Sequence, residues 1–134
     1  LDDFKEFNDL SGHGDGDRLL IAVADILRRT LPRNTIIGRL GGDEFVAVLC
    51  EPDMGRGPQL GRLVVDQVRE ARVLGADEPD HRISVGHAST RRGAAFETVL
   101  RRADKALYRA KAAGGHQICD SDRRPRVVPV TEVA

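Results

Sequence analysis

A chain of 134 residues in which 40% of the side chains are hydrophobic can bury one core but hardly two, so a single domain is the starting expectation. Lysine plus arginine and aspartate plus glutamate number 21 each, so no basic excess points to nucleic acid or an anionic membrane surface, and any phosphate binding has to be local. No apolar run approaches a membrane span, the charged opening LDDFKEFND is unlike a signal peptide, and Cys50 and Cys119 stand far apart outside any CxxC pattern, which suggests buried packing thiols in a reducing, cytoplasmic interior with no membrane contact.

In chain order, the residues before Leu10 read as the exit from a strand whose body lies outside the chain, and Phe4 to Asp17 as a polar loop. From Asp17 to Leu31 the apolar positions Leu19, Leu20, Val23, Ile26, Leu27 and Leu31 recur at helical spacing, with Asp15 or Asp17 placed to cap the start. Thr35 to Leu40 and Phe45 to Cys50 read as strands joined by the four-residue turn Gly41-Gly42-Asp43-Glu44. After a loop rich in glycine and proline, Leu60, Val64, Val68 and Ala71 mark a second helix that ends by Gly75. Arg82 to Ala88 is a third strand. Phe96, Leu100, Ala103, Leu107 and Ala110 trace a third helix stopped by Gly114 and Gly115, and Gln117 to Cys119 is a short last strand. Residues 1–120 thus form the domain, and 121–134, with Pro125 and Pro129 and no periodicity, a flexible tail. The order suits an α+β fold in which helices flank a mainly antiparallel central sheet.

The hairpin turn carries the sharpest chemistry. Gly41 and Gly42 admit positive φ and leave space for a nucleotide against the backbone, while Asp43 and Glu44 offer hard oxygen ligands of the kind Mg²⁺ prefers. Taken alone, the pentapeptide could be an ordinary turn that happens to be acidic. Upstream, Lys5, Asn8, His13 and Asp17 lie in a glycine-rich segment entering a helix N-terminus, where free N–H groups meet phosphates and side-chain amides and carboxylates can read the edge of guanine. A calcium loop starting at Asp15 fails, because Leu20 stands where the loop needs glycine and Ile26 where it needs a bidentate glutamate.

These segments, FKEFND at 4–9, GHGDGD at 12–17, RLGGDEF at 39–45, ISVG at 83–86 and ADKALYRAK at 103–111, resemble the GGDEF family of diguanylate cyclases in its usual order. The resemblance implies a ferredoxin-like, palm-type nucleotide cyclase core. It also implies an enzyme that condenses two GTP into cyclic di-GMP, a second messenger, with Mg²⁺ or Mn²⁺ as cofactor and a head-to-head homodimer of domains as the working unit. By matching position, Asp43 binds metal and deprotonates the attacking 3′-hydroxyl, Glu44 assists at the metal, and Lys5 offsets phosphate charge. Asn8 and Asp17 hold guanine, His13, Gly41 and Gly42 line the substrate, and Lys111 grips phosphate. Plainer roles stay open for three of them: Lys111 as a solvated helix lysine, Asp17 as a helix cap and His13 as a packing residue.

The family pattern DxDxFK places its first aspartate, a metal ligand, one residue before Leu1, and gives Leu1 a metal contact through its backbone carbonyl. On that alignment the first strand is largely missing, the chain as given binds Mg²⁺ poorly and is weak or inactive, and an N-terminal sensory or regulatory domain precedes it. The family's inhibitory RxxD motif meets Pro32 and Thr35, which removes that route of product inhibition. The arginine and asparagine often found after the last helix are replaced by Gly115 and His116. The competing readings are a degenerate GTP-binding GGDEF module that regulates an attached domain, and a different nucleotidyltransferase on the same core.

Overall fold

The computed structural model describes residues 1–50, 53–75, 77–90 and 93–121, so all of the expected tail beyond Ser121 lies outside the described residues. The apolar stripe read from the sequence forms helix α2 (His13–Thr30), which buries Leu19, Leu20, Val23, Ile26 and Leu27. These pack against Leu60, Val64, Val65 and Val68 of α3 (Gly57–Glu70), with Leu1, Leu31 and Ile83 completing the cluster. Each such side chain contributes roughly 1.5–3 kcal/mol through burial, so this helix pair is the main store of folding energy.

Two expectations at the front of the chain are corrected. Phe4–Ser11 is not a loop but an eight-residue helix, α1, entered from Asp3 in the left-handed region (φ 56°, ψ 25°). Phe4 and Phe7, three positions apart, both pack on the core, which is the reason the segment coils despite Asn8, Asp9 and Ser11. Helix α2 therefore starts at His13, earlier than Asp17, and its N-cap is Gly12 (φ 89°) with no side-chain cap, so neither Asp15 nor Asp17 caps it. Asp15 instead pairs with Arg18 at 3.0 Å.

Strands β1 (Ile36–Gly41) and β2 (Glu44–Val48) form the expected antiparallel hairpin, with Ile36 opposite Val48 and Arg39 opposite Phe45. The turn is tighter than expected: Gly41 faces Glu44, and the register is irregular between Arg39 and Gly41. Gly42 supplies the positive φ of 51° that the turn requires, and the Arg39 side chain donates to its carbonyl at 2.8 Å.

A second sheet pairs β3 (Val85–His87) with β4 (Ile118–Asp120) in parallel, Val85 opposite Ile118. The α+β class holds, but one of the two pairings among the described residues is parallel, because the chain reaches β4 only by way of α4 (Phe96–Ala112) and a helical crossover joins parallel strands. Helices α3 and α4 approach this sheet closely. A Cβ on Gly86 would lie 2.1 Å from the Ala103 carbonyl oxygen, and one on Gly57 or Gly61 would lie 2.2 Å from His87 Nε2 or 2.3 Å from Ile118 Cδ1. The thiols depart from expectation: Cys50, two residues past the end of β2, is exposed and Cys119 is half-buried, so neither is a buried core thiol. Among the described residues no helix is long and apolar enough to cross a membrane.

Candidate functional site

The tight turn lifts Asp43 and Glu44 to the end of the hairpin, which is held by the β1–β2 pairing and by the packing of Ile37 and Phe45 on the core. Asp43 is partly exposed, its side chain retaining 29% of its free surface, and Glu44 is exposed. The Leu1 nitrogen lies 3.0 Å from the Asp43 carbonyl oxygen and 3.2 Å from its carboxylate, which sets the start of the chain directly against the acidic tip. A hypothetical Cβ on Gly41 or Gly42 meets nothing within 4 Å, so the space beside the tip is open.

Between the hairpin and the β3–β4 sheet runs a hollow of about 690 Å³ with a mostly apolar wall that includes Leu60, Val64, Ile83 and Leu107, and Leu1, Asp43, Glu44 and Lys111 also border it. The structure thus brings four of the sequence-derived residues around one space. Lys5, Asn8, His13 and Asp17 are not part of that wall and sit on the α1–α2 pair instead. Lys5 is exposed in the first turn of α1, which follows Leu1 by three residues of chain. His13 and Asp17 are exposed, four residues apart and hence on one face of α2.

Asn8 has the most distinctive environment. Its side chain lies over Gly16, where a Cβ would come within 1.8 Å of Asn8 Oδ1, so only glycine lets the amide settle there. That oxygen is buried and has no hydrogen-bond donor. A buried acceptor without a partner costs on the order of 1–3 kcal/mol.

The acidic tip fits a hard cation. Asp43, Glu44 and a backbone carbonyl form an all-oxygen donor set, and Mg²⁺ is usually held by one or two carboxylates together with substrate phosphates and water. Among the described residues no group of three or more histidines, cysteines and carboxylates gathers into a metal cage.

Sequence reasoning missed Asp2, Ser84 and Gly16, which build this region. Asp2 accepts hydrogen bonds from Ser84 Oγ (2.9 Å) and from the His116 amide (2.8 Å), and Gly16 makes room for Asn8. The signal for Asp2 was present, since it is the second aspartate of the DxDxFK pattern. His116 adopts φ 52°, a left-handed conformation that costs histidine more than asparagine.

Comparison with known proteins agrees in sequence and in shape. The family model described as "Diguanylate cyclase, GGDEF domain" matches residues 1–117. The chain is 32% identical over 117 residues to the diguanylate cyclase DgcM of Escherichia coli K12, covering 87% of this chain and 28% of that protein. In fold it is similar to the active GGEEF domain of a diguanylate cyclase from Vibrio cholerae (TM-score 0.83, 28% identity, 92% of this chain and 79% of that one). It is also similar to the GGDEF domain of DgcB from Caulobacter crescentus solved with c-di-GMP (TM-score 0.81, 27% identity, 91% and 72%). The chain spans between 17% and 28% of the length of the curated relatives it matches. With a model match over most of its length and a shared α+β architecture, the chain belongs to the GGDEF domain family.

Proposed function

We propose that the protein carrying this domain is a diguanylate cyclase that condenses two GTP molecules into cyclic di-GMP. The observation that carries the reading is the seating of the Leu1 backbone against the Asp43–Glu44 tip, beside an open glycine turn. In this reading the 3′-oxygen of one GTP attacks the α-phosphorus of the other, the bond from that phosphorus to the β-phosphate bridging oxygen breaks, and pyrophosphate leaves. Asp43 accepts the proton from the 3′-hydroxyl. Lys5 and Lys111 offset charge on the phosphates, and Asn8 and Asp17 hold guanine, with the donor-less Asn8 oxygen accepting from the base. His13 borders the same substrate, and Gly41 and Gly42 leave room for it. Mg²⁺ or Mn²⁺, held by Asp43, Glu44 and the Leu1 carbonyl, supplies charge stabilisation at the reacting phosphates. The same exchange repeated from the facing domain closes the ring, so a homodimer of domains is the working unit.

Incubating the purified protein with GTP and Mg²⁺ and separating the products tests this. Cyclic di-GMP and pyrophosphate support the cyclase. Bound but unconverted GTP identifies a regulatory GTP-binding module, and a different cyclic or linear nucleotide identifies another transferase.

A further inference from the structure

The hairpin sheet and the β3–β4 sheet share no strand pairing among the described residues. Leu1 and Asp2 lie between them: the Leu1 nitrogen reaches the Asp43 carbonyl at 3.0 Å, and the Asp2 amide donates to the Arg82 carbonyl at 2.9 Å. Asp2 then anchors its side chain on the same side as Arg82. One carboxylate oxygen accepts from Ser84 Oγ, beside β3, and from the His116 amide, in the turn before β4. Next to it, Arg82 donates to the Gly114 carbonyl and stands 3.5 Å from the Asp3 carboxylate. Three hydrogen bonds thus hold Asp2 to the segments that lead into β3 and β4.

The peptide that joins Leu1 to Asp2 is planar, and in a trans peptide the N–H and C=O point to opposite sides. With its N–H committed to Arg82, that peptide turns the Leu1 carbonyl away from the β3–β4 sheet. Asp43 lies against the other flank of Leu1. We propose that Asp2 is a positioning residue that aims the Leu1 carbonyl at the acidic tip and fixes the tip's distance from the end of α4, where Lys111 lies; this rests on the cyclase reading for the ligand it serves. Asp2 itself touches neither substrate nor cation. Its two anchors stand 82 and 114 residues away in sequence, so they set the spacing of elements that nothing local connects.

The test uses the purified protein carrying the domain, as wild type, Asp2→Ala, Asp2→Asn and Ser84→Ala, with thermal melting to establish folding. Mn²⁺ binding is read by the loss of the free-ion electron paramagnetic resonance signal in the presence of a GTP analogue with a methylene between the α- and β-phosphorus, which reports the site without turnover. Asp2→Ala is expected to weaken Mn²⁺ binding about tenfold and lower kcat by about tenfold. KM for GTP stays within about threefold, because the guanine-side residues belong to α1 and α2. Asp2→Asn, whose amide oxygen can take both hydrogen bonds, recovers most of the loss.

Wild-type Mn²⁺ affinity in Asp2→Ala overturns the proposal, as does a loss confined to KM or to melting temperature. If Asp2→Ala does not fold, Ser84→Ala decides: deleting one anchoring donor weakens Mn²⁺ binding about threefold if the proposal holds, and no change overturns it. A wild-type protein that makes no cyclic di-GMP yet binds Mn²⁺ and analogue more tightly than the variants rejects the cyclase and keeps the positioning role. A wild type that binds neither overturns both.

Discussion

The hairpin and the β3–β4 pair are both two-stranded sheets, and they are built by opposite means. In the hairpin, Ile36 and Val48 pair across a turn of two residues and much of the surface stays exposed, with Ile37 and Phe45 resting on the core. In β3–β4, three-residue strands lie far apart in the chain and meet only because α3 and α4 press on them. The exposed, locally determined sheet carries the carboxylates, while the packed, non-local sheet holds the anchors of Asp2 and the helix that bears Lys111. Chemistry and support are divided between them.

Substitutions can break that division. The largest expected effect is Asp43→Ala, which on the cyclase reading abolishes synthesis, by about a thousandfold or more in turnover, with a melting temperature close to wild type because a partly exposed turn carboxylate adds little packing. Product formation and melting measured on one preparation check it; comparable turnover rejects the role given to Asp43. Next is Gly86→Val, which drives a side chain into the Ala103 and Leu107 backbone of α4 and is expected to destabilise the domain by about 3 kcal/mol or more in urea unfolding. A Gly86→Val protein as stable as wild type would show that β3 does not seat against α4.

A sharper probe is Gly16→Ala. The new methyl displaces the flexible Asn8 amide, while alanine favours the helix over glycine by up to about 1 kcal/mol, so stability should change little. Guanine-nucleotide affinity measured by calorimetry should fall about tenfold, the worth of roughly one hydrogen bond. Affinity equal to wild type would separate Asn8 from the base. The smallest effect belongs to Ile36→Thr, at an exposed strand position, where melting and synthesis should both stay within about 0.5 kcal/mol of wild type.

How much of this was legible in the sequence follows the same division. Periodicity revealed α2, α3 and α4, and the glycine pair revealed the hairpin with its acidic tip, since each depends on residues close in the chain. Helix α1 was hidden: Asn8, Asp9 and Ser11 read as loop, and the spacing of Phe4 and Phe7 that makes them face the core is short. The parallel pairing of β4, the exposure of Cys50 and the anchoring of Asp2 were not legible, because each depends on contacts with distant parts of the chain. For the site, the residue types could be read, but not that Asp43 and Lys111 border one hollow while Asn8 lies over Gly16 on the helix pair.

Helix α3 carries Gly57 and Gly61 where it faces His87 and Ile118. Gly61, inside the helix, lowers intrinsic helicity by roughly 0.5–1 kcal/mol, and a fourteen-residue segment is marginal as an isolated helix in water. Its shape is borrowed from its neighbours: α2 holds the Leu60, Val64 and Val68 face, and the β3–β4 sheet holds the glycine face, so one short helix ties the main core to the parallel strands.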